Sequence, residues 1–170
     1  MSLNSLAATF AAAVSAVVSK VEELSTLTDV LSETGNSTFA FGTGANQADG
    51  LYHDEDSLAN PAGTVTLDFT DSSLSDKLGE AINFSKLKAL YIQNTSVDAT
   101  LDIGGVGANA MPLFNVNTEI LVLQPGGIFV FICADASGLD ISTNAKLKLT
   151  HGGEGADPVV YQIVALGVQT

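Results

Sequence analysis

Arginine is absent from this 170-residue chain, and its six lysines face 19 acidic residues. A net charge of −13 repels phosphate backbones. Without guanidinium groups there is no two-pronged donor for phosphate or guanine. Nucleic acid is therefore disfavoured as a partner, and anionic membrane surfaces are disfavoured on the same ground. Tryptophan is also absent and aromatics make up only 6% of the chain, which argues against a sugar-stacking groove. The one cysteine, Cys133, cannot close an internal disulfide. It ends an apolar run and is expected to be a small core hydrophobe. A long hydrophobic run is lacking too. Residues 6–18 look like the apolar part of a secretion signal, but no Lys or Arg precedes them. They are too few to cross a bilayer, and are expected to belong to the folded protein.

What the chain does have is apolar residues, at 46% with a mean hydropathy of +0.31, enough for a real core. From residue 34 onward they come as short runs of β-branched and aromatic types cut by Asn, Gly and Pro, the pattern of strands and turns. Strands are expected at Thr64–Phe69, Lys86–Gln93, Ala99–Ile103, Glu119–Gln124, Ile128–Cys133, Gly138–Ser142, Ala145–Thr150 and Pro158–Val168. Lys86–Gln93 and Ala99–Ile103 are expected to form a hairpin around Asn94–Asp98. The runs at 119–124 and 128–133, joined by Pro125-Gly126-Gly127, are apolar on both faces and should be buried between two layers. Phe39–Phe41, Gly50–Tyr52 and Met111–Phe114 read as short edge strands. No strand–helix alternation follows residue 34, so parallel α/β folds are disfavoured. The expected fold is mainly β: an antiparallel β-sandwich of jelly-roll type over 34–170, preceded by an N-terminal α-helix over 1–33.

That helix is read from Leu3, Leu6, Phe10, Ala13, Val17, Leu24, Leu27 and Leu31, which follow a three-and-four spacing, with Val21 filling the gap beside Lys20. Its other side is built of small residues. From Leu3 to Leu31 it would be roughly 40 Å long, at about 1.5 Å per residue. It would overhang its own domain and need a partner, with Leu6, Phe10, Val17 and Val21 as the interface. The alternative is a shorter helix, ending near Leu24, lying on its own sheet.

Chemistry is sparse. His53-Asp54-Glu55-Asp56 is the densest charged cluster, but calcium loops space their ligands at alternate positions and this run is contiguous. A solvated loop is the expected reading. His151 and Glu154 could join His53 at a metal only if two loops met. Gly42-Thr43-Gly44 lacks the Lys and the strand–helix setting of a phosphate loop. No Gly-x-Ser-x-Gly elbow or Ser–His pairing is visible. No catalytic, metal or cofactor site is assigned, and an enzyme is not expected.

Several stretches nevertheless carry a likeness. They are Gly42-Thr43-Gly44-Ala45-Asn46, then Asp49-Gly-Leu-Tyr-His53-Asp54, Leu78-Gly79-Glu-Ala-Ile-Asn-Phe84, Lys88-Ala-Leu-Tyr-Ile-Gln-Asn94, Leu123-Gln-Pro125-Gly126-Gly127 and Tyr161-Gln-Ile-Val-Ala-Leu-Gly167. With the Ala/Leu/Ser-rich N-terminus, they resemble a group of small virion structural proteins of tailed bacteriophages. The resemblance implies a head or tail role without chemistry. It points first to capsid decoration (cement), in which copies of the chain, as in trimers, and the major capsid protein or another virion protein are the partners. The alternative is a tail or baseplate structural or receptor-binding module using the loops Gly104–Asn109 and His151–Asp157. The implied location is the virion, assembled in the host cytoplasm.

Overall fold

The computed structural model describes residues 5–21, 26–114 and 116–170, and every regular element among them is a strand. The first two, β1 (Ala7–Val21) and β2 (Thr26–Phe41), pair antiparallel from Ala7↔Ala40 to Val21↔Thr26. The expected N-terminal helix is therefore overturned: the segment is a long β-hairpin that runs to Phe41. Leu3, Leu24 and the side chain of Leu27, which the helix reading used, lie outside the described residues. The physical reason is visible in the residues. Val14, Val17, Val18, Val21, Thr26, Thr28 and Val30 are β-branched and lose rotamer freedom in a helix. Leu6, Ala8, Phe10, Ala12, Val14, Ala16 and Val18 also alternate with period two. Alanine fits either period, so the three-and-four spacing was satisfied by coincidence.

The remaining strands build a two-layer sandwich. One layer holds β4 (Gly50–Leu58), β6 (Phe84–Asn94), β9 (Ile128–Ile132), β10 (Leu139–Asp140) and β12 (Val159–Gln169). The other holds β5 (Thr64–Asp68), β7 (Leu101–Gly104), β8 (Ile120–Leu123) and β11 (Lys146–His151). The first layer runs β4-β12-β6, with β9 and β10 sharing the far edge of β6; the second runs β5-β11-β7-β8. All pairings within both layers are antiparallel. The chain changes layer between β4, β5, β6 and β7 in turn, again between β8 and β9, and twice more between β10, β11 and β12. This is the strand order of interleaved Greek keys. A further two-residue strand, β3 (Gln47–Ala48), pairs parallel with the end of β2.

Four local expectations change with this topology. β6 and β7 lie in opposite layers and form no hairpin. β8 and β9 are edge strands, so Ile120, Val122 and Ile128 are exposed while Leu121, Leu123, Phe129 and Phe131 turn to the core. Cys133, beyond β9, is only half-buried. Met111–Phe114 is turn rather than strand.

Between the layers, Leu90, Ile92 and Ile163 of the first meet Leu101, Ile103, Leu147 and Leu149 of the second. Phe69 stacks on Phe84 at 5.9 Å and meets Tyr52 edge-on at 5.6 Å. A polar side chain also spans this interior. Asn94, fully buried, donates through Nδ2 to the carbonyls of Ala99 (2.8 Å) and Leu123 (3.0 Å), and its Oδ1 accepts from the Ser96 N–H (3.0 Å). It ties β6, the turn after it and β8 together across the layers. Asn94→Ala strands those groups without water, which costs about 1–3 kcal/mol. A urea titration is expected to show the unfolding free energy lowered by that amount, through a lower midpoint at an unchanged slope.

Candidate interaction surface: the arm and its socket

The β1–β2 hairpin is an arm. From Ala11 to Val21 and from Thr26 to Asn36, every side chain described is exposed. At about 3.3 Å per residue this free part is roughly 35 Å long. Opposed residues in an antiparallel pair share a face. The inner face, which starts with Leu6, Ala8, Phe10 and Phe39, rests on the sandwich at its root. Further out it carries Lys20, Asp29 and Glu33 among its residues. The outer face pairs Thr9 with Thr38, Ser15 with Ser32, Val17 with Val30 and Ser19 with Thr28. The last two hydroxyls lie 3.5 Å apart. No charged residue stands on the outer face between Ala7 and Val21 or between Thr26 and Ala40.

The root is anchored by packing. Phe39, 2% exposed, sits with Ala48, Ala89 and Leu166 in a second apolar cluster outside the main core. Phe10 meets Phe39 edge-on at 6.2 Å, an arrangement that adds about 0.5–1.5 kcal/mol to the burial itself. Beyond the root, Phe10, Leu51, Tyr91, Val130 and Val164 line an open apolar groove of about 610 Å³ between arm and sheet.

A buried cation fixes the far side of the socket. Between β9 and β10 the edge strand breaks off to form a loop, and Lys88 of β6 faces that break. Its side chain is fully buried, and its Nζ donates to the carbonyls of Gly44 (3.2 Å) and Asp135. The Cys133 N–H bonds back to the Lys88 carbonyl (2.8 Å), and the Asn46 N–H bonds to Ala134 (2.7 Å). Lys88 thus clamps the turn that ends the arm onto the 134–138 loop. Burial, with Lys86 nearby, pulls its ammonium below the ordinary lysine range.

The four interface candidates separate along the arm. Leu6 and Phe10 lie in the root and are half-buried against the sandwich. Val17 and Val21 lie on the free outer face, 64% and 80% exposed. Val14, Val18, Val30 and Leu31 are exposed with them, and sequence reading passed over all but Leu31. The period-two alternation was the signal that would have found them. Lys88 was missed as well; a lone lysine inside Leu87–Ile92 was its trace.

The other candidates do not assemble. The acidic run lies on β4, not in a loop, so its side chains alternate between faces. Asp54 pairs with Lys77 (2.7 Å), while Glu55 accepts from Gln162 (2.6 Å). Beside them, burial first and then Asp54 push the Tyr52 hydroxyl up to about 12. Gly42-Thr43-Gly44 joins two strands, with the Gly44 carbonyl facing Lys88. His53 is exposed on β4, whereas His151 is buried at the end of β11 in the other layer. The Nδ1 of His151 accepts from the Gly153 N–H (3.0 Å), so Nε2 carries the proton toward Asp157 O (3.1 Å). Its role is to hold the tip loop closed. Among the described residues no three His, Cys, Asp or Glu side chains gather as a metal site.

Lys88→Met removes the donor for two carbonyls and the desolvation cost of the ammonium together, so the two effects offset in global stability. The sandwich is expected to melt within a few degrees of the parent, while proteinase K cleavage within 42–47 and 134–138 rises several-fold, as read by mass spectrometry. Comparison with protein-family models and with curated proteins finds no match for this chain.

Proposed function

We propose that this chain is a non-enzymatic structural protein of a virion, acting as a capsid decoration (cement) protein that stabilises a phage head through subunit–subunit contacts. The observation that carries the reading is the arm: a two-stranded ribbon whose free part exposes Val14, Val17, Val18, Val21, Val30 and Leu31. A two-stranded ribbon alone is marginal in water, and its bare edges invite pairing with another chain. Such a ribbon is useful where neighbouring subunits are close and fixed in place. The exposed Ile120, Val122 and Ile128 on the β8 and β9 edges give a second apolar strip that a neighbour could cover. The strongly acidic sandwich supports the same reading, since net charge keeps free subunits soluble before they assemble. Its partners in this account are copies of itself and the major capsid protein or another virion protein.

The test trims the arm and leaves its root. Residues 12–35 are replaced by Asn-Gly, a pair suited to a two-residue hairpin turn. The trimmed protein is expected to keep the melting temperature of the sandwich and to lose binding to heads that lack the protein, measured by co-sedimentation. Heads decorated as densely by the trimmed protein as by the full chain would end this reading.

A further inference from the structure

We infer that the arm's outer face is a self-contact: it packs face to face on the same face of a second copy of this chain. The inference rests on the reading of the arm as an assembly device and names the surface and occupant. Three observations carry it.

The first is charge. A contact between identical chains sets like charges against like, and residues 42–170 hold five lysines against fifteen carboxylates, a net −10. The outer face carries no charge over the whole paired length, from Ala7 to Val21 and from Thr26 to Ala40. The inner face does, at Lys20, Asp29 and Glu33. A copy can therefore cover the outer face without burying a charge.

The second is direction. The inner face rests on its own sandwich through Leu6, Phe10 and Phe39, so the outer face looks away from it. Two arms packed back to back place their acidic sandwiches on opposite sides of the joint. Sandwiches held further apart than a screening length of about 8 Å at physiological salt repel each other little.

The third is size and shape. Fifteen residues at about 3.3 Å and two strands about 4.8 Å apart give a face of roughly 500 Å², so two of them bury about 1,000 Å². That is the lower end of a specific interface, which fits a contact that forms at high local concentration. Val17, Val21 and Val30 supply the apolar part, and the paired Ser and Thr hydroxyls remain small enough for two sheets to approach closely.

The experiment uses the full chain with Cys133→Ala, so that one introduced thiol reports. Ser15→Cys stands mid-arm on the outer face and Val18→Cys stands on the inner face. Under mild oxidation Ser15→Cys is expected to form a disulfide-linked dimer and Val18→Cys to stay unlinked, with light scattering giving at least twice 17.4 kDa for the unoxidised parent. A parent that is monomeric at every concentration, an oligomer that cross-links at neither position, or equal linking at Val18→Cys each overturns the inference. A monomer whose arm is covered only on a capsid shell also overturns it, while leaving the cement reading intact. A dimer linked at Ser15→Cys that fails to bind heads ends the cement reading and leaves the self-contact standing.

Discussion

A β-ribbon of two strands satisfies half of its backbone and buries almost none of its side chains. Each strand bonds to the other and leaves its second edge bare, and neither face has a layer beneath it. The β1–β2 arm escapes this only at its root, where Phe39 is packed against the sandwich and Phe10 closes over it. Beyond Ala11 no described residue covers the valines that stand on both faces. Burial of that surface must therefore come from another molecule if the arm is to hold its shape. The molecule thus joins a well-filled sandwich to an unfilled ribbon.

The sandwich is arranged so that the ribbon has something firm to stand on. Its main core is apolar and continuous, with Asn94 spanning the layers through three hydrogen bonds. The outer side of the first layer is a second, smaller core that exists only because the arm's root lies over it. Lys88 links the two. Its stem leaves the central strand β6, and its ammonium holds the turn that ends the arm to the loop that interrupts the edge strand. A buried charge is costly, and here every donor direction that is used meets a backbone carbonyl of a loop. The clamp holds the arm at its root and makes no contact with the free part.

Much of the sandwich was legible because strands with one wet face announce themselves. Lys146-Leu147-Lys148-Leu149 alternates, and β11 is found there with Leu147 and Leu149 buried. The Pro125-Gly126-Gly127 turn was equally plain, with Gly126 at φ +75°. Which layer each strand joins was not legible, since short turns serve a hairpin and a layer crossing alike; β6 and β7 show this. Edge position was hidden for the same reason, and β8 and β9 were expected to be buried because their composition is apolar on both faces. The arm was misread because alanine and serine satisfy two periods at once, and only the β-branched residues at 14, 17, 18, 21, 26, 28 and 30 decided between them. Of the expected interface residues, all four lie on the arm, but two serve its root and two its free face.

On the proposed reading the free arm is held in shape by another molecule while the sandwich holds itself. Amide hydrogen exchange across a dilution series of the full chain tests it most directly, because each segment reports its own opening free energy. Protection of amides in 11–21 and 26–36 is expected to fall as the protein is diluted, while protection in β6, β11 and β12 stays constant. Arm protection that is independent of concentration, and as strong as that of the sandwich, would contradict it.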